Sequence, residues 1–154
     1  MPQYICPSPI GPLSLVEENG ALVEVRWNFE LPRDAAPMAL PATPLLRQAA
    51  AELTAYLAGQ LRQFTVPLAQ KGSPFQQKVW AALREIPYGE TRSYKELAIA
   101  VGNEKACRAV GMANNRNPLP IFIPCHRVVG TNGKLVGYAG GLDVKTFLLN
   151  LEKE

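Results

Sequence analysis

Two runs of alternating apolar and polar residues open the pattern of this chain: Leu13 and Leu15, then Val23, Val25 and Trp27, with Asn19-Gly20 between them. Alternation places side chains on one face of a strand, and Asn-Gly accepts the positive φ angles of a two-residue hairpin turn. An antiparallel sheet is predicted. The stretch from Leu31 to Pro44, with Pro32, Pro37, Pro41 and Pro44, reads as a loop. Beyond it Leu46, Ala49, Ala50, Leu53 and Leu57 recur at helical spacing until Gly59, so one amphipathic helix is expected to cover the sheet. Thr65-Val66-Pro67-Leu68 suits a short edge segment, and Gln70 to Pro74 reads as a linker.

Beyond the linker the period becomes helical. Ser73 can cap a helix with Pro74 in its first turn, and Phe75, Val79, Trp80 and Leu83 form its apolar face as far as Ile86-Pro87-Tyr88-Gly89. Ser93-Tyr94-Lys95-Glu96 has capping-box spacing and opens a second helix to Val101. After the turn Gly102-Asn103 a third helix is predicted from about Glu104 to Asn114, which makes a helix-turn-helix candidate. A last helix carries Val144, Phe147, Leu148 and Leu151 on one face and Glu152 near its end. The fold class that follows is α+β. Residues 1–72 form a small antiparallel sheet with a covering helix, and residues 73–154 form a mostly helical, winged-helix-like domain.

A helix that reads base edges usually offers Arg, Asn or Gln, whereas the third helix is built largely from Ala106, Ala109, Val110, Gly111 and Ala113, with Arg108 as the one long cation in its middle. Small residues permit close approach to a groove. That composition suits a protein that binds any sequence and acts on a base taken out of the stack, though a helix packed on its neighbour through its alanines has the same composition.

The chemistry concentrates in Ile121-Phe122-Ile123-Pro124-Cys125-His126-Arg127-Val128-Val129-Gly130, an apolar run of strand-like composition. Pro124 has no N–H for a ladder and biases Ile123 toward extended backbone, so a bend is expected at Cys125 rather than a regular central strand. Cys125 adjoins the only His of the chain and Arg127. A thiol needs a neighbouring base or cation to become an efficient nucleophile, and adjacent residues of an extended chain point to opposite faces, so coupling Cys125 to His126 requires a turn or a bridging water. The residues alone leave two readings open: a nucleophile, or a small hydrophobic side chain buried in the core.

Composition narrows the classes. The 154 residues contain no apolar run long enough to span a bilayer, and Met1-Pro2-Gln3-Tyr4 does not begin a signal peptide, so a cytoplasmic protein away from membranes is expected. Cys6, Cys107 and Cys125 are odd in number and widely spaced, and with a single His they make neither a disulfide framework nor a structural zinc site; no metal or cofactor is expected. The net charge of +3 is uneven. Residues 1–72 carry five basic and six acidic side chains, residues 73–154 eleven and seven. From Lys105 to Leu142 stand Lys105, Arg108, Arg116, Arg127 and Lys134 with no acid, a field suited to phosphate and equally the composition of an ordinary solvated surface.

Pro124-Cys125-His126-Arg127-Val128, preceded by Asn117-Pro118-Leu119-Pro120-Ile121 and followed by Gly137-Tyr138-Ala139-Gly140-Gly141-Leu142, closely resembles the O6-alkylguanine-DNA alkyltransferases. The resemblance spans roughly residues 73–152. It implies a single-turnover repair protein, acting as a monomer, that flips O6-alkylguanine, and less readily O4-alkylthymine, out of duplex DNA without sequence preference and moves the alkyl group to its own cysteine. By that resemblance Cys125 is the alkyl acceptor, His126 its activating base through a water, and Glu152 the residue that orients His126. Tyr94 bonds guanine N3 and helps protonate the leaving base, Arg108 replaces the flipped nucleotide in the stack, and Asn117 orders the hinge. Pro120, Tyr138 and Lys145 border the base pocket, the Ala139 N–H faces O6, and the carbonyls of Cys125 and Val128 accept the exocyclic amine. Lys105, Ala106, Ala109 and Gly111 lie on the DNA side. Cys107 stands where relatives often have Ala, and a slower second alkylation there is one expectation.

Three other classes compete. A cysteine hydrolase would also use Cys125 and His126 but would turn over. A non-catalytic alkyltransferase-like binder of damaged DNA would lack the acceptor cysteine, which is present. A helix-turn-helix regulator would show a sequence-selective footprint.

Overall fold

The computed structural model describes residues 2–27, 41 and 43–153. Most of the proline-rich Leu31–Pro44 stretch expected to be a loop, residues 31–40 and 42 of it, lies outside the described residues. The chain divides into two compact units, Met1–Gln70 and Lys71–Glu154.

In the first unit β1 (Gln3–Cys6), β2 (Leu13–Glu18) and β3 (Ala21–Trp27) form an antiparallel sheet in that order. Asn19 and Gly20 take φ of 51° and 76°, the left-handed pair that lets a two-residue turn follow the strand twist. Leu15 faces Val25 across the ladder, but the register shifts between Val16 and Glu17 and leaves Val23 as an extra residue. This bulge corrects the expected apolar face: Leu22 and Val25 are buried, whereas Val23 and Trp27 are only half-buried. Strict alternation cannot survive one inserted residue. Leu22 also bonds the edge segment, donating to Pro67 O and accepting from Ala69 N, both at 2.9 Å.

The covering helix α1 (Pro44–Leu57) is capped by Thr43, whose hydroxyl accepts from Leu46 N at 3.1 Å, so Pro44 belongs to the helix rather than to the loop expected there. Its Leu46, Ala49, Leu53 and Tyr56 are wholly buried. Each large apolar side chain so buried contributes about 1.5–3 kcal/mol.

In the second unit α2 (Pro74–Arg84) starts from a reciprocal capping box between Ser73 and Gln76. A second box, Ser73's counterpart at Ser93 with Glu96, starts α3 (Tyr94–Ala100). The following helix, α4, covers Cys107–Asn115 rather than beginning at Glu104. Asn103 Oδ1 instead accepts from Lys105 N at 3.2 Å, an Asx-type turn that competes with helix, and Ala106 has no oxygen with which to cap. Lys105 and Ala106 therefore precede the helix. The buried Trp80 indole N–H donates to Ala113 O at 2.9 Å and ties α2 to α4.

A short parallel pair, β4 (Arg92–Ser93) with β5 (Val128–Val129), does the positioning. It sets the start of α3 beside the end of the Cys-His turn. The final helix α5 (Leu142–Glu152) buries Val144, Lys145, Leu148 and Glu152, so its inner face is not the Val144, Phe147, Leu148, Leu151 stripe read from the sequence. Phe147 stays 37% exposed. Two ionisable groups with internal partners take the place of apolar ones.

Candidate functional site

The run from Ile121 to Val129 is buried throughout yet is mostly not strand; Cys125–Arg127 form one 3-10 turn, the bend that Pro124 announces. Upstream, Ile121 has φ of 76°, an unusual conformation for a β-branched residue that persists only where neighbours enforce it. Asn117 does so with both ends of its amide. Its Nδ2 donates to Ile123 O at 2.8 Å and its Oδ1 accepts from Leu119 N at 2.9 Å, while Ile123 N donates to Leu119 O at 2.8 Å. The turn leading to the cysteine is thereby held from the end of α4.

Cys125 is a free thiol, 5% exposed. Burial pushes its pKa from 9.0 up to about 11; a hydrogen bond from Asn117 and the charge of Lys145 oppose that rise. At rest the group is a protonated thiol. A proton must leave it as it attacks, and the adjoining His126 can receive one.

His126 is completely buried, with Nε2 2.7 Å from Glu152 Oε2. Burial depresses its pKa below 6.5 despite the opposing pull of Glu152, so the ring is neutral near pH 7. A neutral ring facing a carboxylate through Nε2 carries its proton there, which leaves the lone pair on Nδ1. Glu152 holds the tautomer in place. Its carboxylate also accepts from Arg127 Nε at 2.8 Å, Arg127 Nη2 at 3.0 Å and Gly89 N at 3.2 Å, and Arg127 Nη1 donates to Ile86 O at 2.7 Å.

Arg127 is therefore corrected from a phosphate partner to an internal clamp, 7% exposed and stacked 5.6 Å from the Tyr88 ring. A charged residue inside an apolar run whose neighbours are all buried was the available signal, because such a charge must find an internal partner. The other cations of the stretch, Lys105, Arg108, Arg116 and Lys134, are exposed.

Lys145 is buried, and its three N–H donors reach Val128 O at 2.6 Å, Val136 O at 3.0 Å and Gly137 O at 3.4 Å. Burial lowers its pKa, partly offset by Cys125. Tyr94 donates to Val136 O at 3.2 Å; burial raises its pKa, a hydrogen bond with Asn114 lowers it, and Cys125 adds a further rise. Both side chains thus sense the thiol. Tyr94, Cys107, Arg108, Gly111, Asn115, Val136 and Gly137 line an open hollow of about 430 Å³. Gly137 has φ of 57°, and a Cβ there would lie 3.7 Å from the Tyr94 hydroxyl.

The structure gathers Cys125, His126, Glu152, Tyr94, Asn117, Val128 and Lys145 around one buried turn. Pro120 is buried beside it in sequence, Tyr138 is half-buried, and Ala139 and Ala109 are exposed. Arg108 stands on the rim of the hollow, and Lys105 and Ala106 lie on the approach to α4. Asn114, 1% exposed, is the residue that sequence reasoning passed over: its Nδ2 donates to Cys125 O at 3.4 Å. Its helical phase with Val110 and Ala113 marks it as inward-facing. Among the described residues no three His, Cys, Asp or Glu side chains come together to hold a metal ion.

An α+β chain whose helix-turn-helix unit encloses a cysteine beside a His–Glu pair defines a class of DNA-directed thiol proteins. Residues 74–154 match the 6-O-methylguanine DNA methyltransferase DNA-binding domain, and residues 3–70 match the ribonuclease-like domain of the same proteins. The Methanosarcina acetivorans methylated-DNA–protein-cysteine methyltransferase is 52% identical over 146 residues, 94% of each chain. The constitutive Bacillus subtilis enzyme of that name is 60% identical over 112 residues, 72% of this chain and 68% of its own. The crystal structure of Mycobacterium tuberculosis OGT in complex with DNA superposes with a TM-score of 0.85 at 47% identity, covering 97% of this chain and 91% of that one. The chain belongs to the 6-O-methylguanine DNA methyltransferase family, the methylated-DNA–protein-cysteine methyltransferases.

Proposed function

We propose that this protein repairs DNA by direct reversal, moving the alkyl group of O6-alkylguanine, and less readily of O4-alkylthymine, irreversibly to Cys125. The observation that carries the reading is the free, buried Cys125 thiol on a turn whose next residue is a His–Glu pair closed to 2.7 Å.

In the reaction the Cys125 proton passes toward Nδ1 of His126, and the imidazolium that forms is stabilised by Glu152. Sγ attacks the alkyl carbon, the S–C bond forms, and the C–O6 bond breaks with its electron pair moving into the guanine ring. Tyr94 hydrogen-bonds N3, and the base leaves protonated. The net change exchanges a thiol proton for an alkyl group. A thioether has no route back to the thiol here, so each molecule acts once.

Arg108 fills the stack when the base is extruded, Asn117 holds the turn between α4 and the nucleophile, and Pro120, Tyr138, Ala139 and Val128 surround the base. Lys105, Ala106, Ala109 and Gly111 face the duplex, which is bound as a monomer without sequence preference, in the cytoplasm. The N-terminal domain, residues 1–72, is structural. The test is stoichiometry: with labelled O6-methylguanine duplex in excess, methyl transferred should plateau at one per molecule, and Cys125→Ala should bind the duplex yet transfer none. Continued turnover would indicate a hydrolase, and binding without transfer by the unaltered protein would indicate a non-catalytic damage binder.

A further inference from the structure

The outer line of α4 carries one side chain that close approach to a groove does not explain. Val110, Ala113 and Asn114 are the buried residues of that helix, and on its other side Arg108, Met112 and Arg116 follow one another at intervals of four, all exposed. The Arg116 N–H donates to Met112 O at 3.1 Å, so the helical phase extends that far. Met112 is 52% exposed, a large apolar side chain between two cations, while Ala109 and Gly111 beside it are small. A single exposed apolar residue is ordinary on a surface, but this one stands on the line that first meets whatever the two arginines hold. From Lys105 to Leu142 no acid offsets their charge, so that partner is polyanionic. A thioether cannot pair with phosphate. Between two phosphate-seeking neighbours it can be buried only against sugars and bases, and its unbranched, flexible chain fits an irregular surface of that kind.

We infer that Met112 is an apolar wedge that enters the groove of the duplex beside the lesion and loosens the stack there. The inference rests on the duplex-binding and base-flipping reading given above. Four residues of helix rise about 6 Å, which is one to two base steps of about 3.4 Å. With α4 lying along a groove and Arg108 in the vacated position, Met112 therefore meets the stack one or two steps away. Side chains that part neighbouring bases spend unstacking energy to gain contact, and a stack already loosened beside the lesion makes extrusion easier. One rigid helix then carries both the residue that loosens the stack and the residue that fills it.

The test compares Met112→Ala, Met112→Gln, a polar side chain of similar length, and Met112→Leu, which keeps the apolar surface. Each is made in the Cys125→Ala background, so that binding is not followed by transfer, and a thermal melt serves as control. The duplexes carry O6-methylguanine with 2-aminopurine, whose fluorescence rises on unstacking, one or two positions to either side. Burying the exposed half of a methionine is worth about four- to tenfold in affinity, so Ala and Gln should weaken duplex binding by that factor at every salt concentration, while Leu stays within about twofold of Met. The 2-aminopurine signal at one of the flanking positions should be brighter with Met or Leu than with Ala or Gln. Affinity unchanged or raised in Met112→Ala, a loss that disappears at high salt, or fluorescence indifferent to the substitution would overturn the wedge while leaving the alkyl-transfer reading intact. A wild-type protein that takes no methyl from the duplex would instead overturn the alkyl-transfer reading itself.

Discussion

Replacing Glu152 by Gln keeps the shape of the side chain but changes two contacts of Oε2. One oxygen can still accept from Arg127 Nε and Gly89 N, whereas the new amide group points donors at Arg127 Nη2, a donor itself, and at His126 Nε2. Two effects follow. Arg127, 7% exposed, loses the charge that compensates it, and breaking a buried pair from one side costs about 3–5 kcal/mol. For a chain of this size that is a fall in Tm of about 6–20 °C. The second effect is chemical: facing an amide donor, Nε2 must become the acceptor, so the ring proton moves to Nδ1 and the thiol proton has no lone pair to enter. A tautomer reversal of this kind lowers a rate by about 10⁴-fold in the Ser-His-Asp enzymes, and a loss of about 10³–10⁴-fold is expected here. Duplex affinity should be nearly unchanged, because Glu152 is buried and its carboxylate faces His126 and the buried Arg127 rather than phosphate. The assay is methyl loss from duplex DNA in a single turnover, with mobility shift and thermal melt alongside. Adding Arg127→Met should recover much of the lost stability and none of the rate. A Glu152→Gln protein that folds and reacts at the wild-type rate would refute the relay, and equal melts for single and double variants would refute the clamp.

Three further outcomes are expected. Cys125 should stay protonated, and its thiolate absorbance should develop only toward pH 11; because the folded state favours the thiol, its contribution to stability is complete below 9.0 and lost as pH rises from there through about 11. A thiolate signal near pH 7 would contradict this. His126, depressed below 6.5, has the opposite sign: its contribution is complete above 6.5 and lost as pH falls through its lower folded value, which melts across pH 7 to 5 on wild type and His126→Gln would expose. Arg108→Ala should react far more slowly with O6-methylguanine in a duplex yet near the wild-type rate with free O6-benzylguanine, which needs no extrusion, whereas equal losses would remove Arg108 from flipping. Lys134→Ala, at an exposed cation, should reduce the slope of log affinity against log salt by about 0.9, and an unchanged slope would take Lys134 off the phosphate contact.

The elements with strong local signals were legible before any coordinates. Asn19-Gly20 announced the hairpin, Ser73 and Ser93 announced two helix starts, and Pro124 announced the bend at the cysteine. What escaped depends on distant partners. The bulge at Val23 moved the buried position from Val23 to Leu22 while leaving Val25 inside, because register is settled across the ladder, not along it. Likewise α5 turns Lys145 and Glu152 inward because carbonyls and an arginine from other segments satisfy them, which no periodicity along the helix reveals. Arg127 shows the same limit: local charge counted it with the phosphate partners, while its bidentate bond to Glu152 crosses 25 positions of sequence. The family resemblance placed Cys125, His126 and Glu152 together, and Asn114 escaped both that comparison and the reading of its helix as a surface of small residues.

The central claim is that Cys125 becomes the permanent home of the alkyl group. The most direct measurement is peptide mass mapping after the protein is incubated with excess O6-methylguanine duplex. The account predicts one methyl per molecule, on the peptide that contains Cys125 and nowhere else, with the count unchanged on longer incubation. Methyl confined to Cys6 or Cys107, or an unmodified protein that has cleared several lesions, would contradict it.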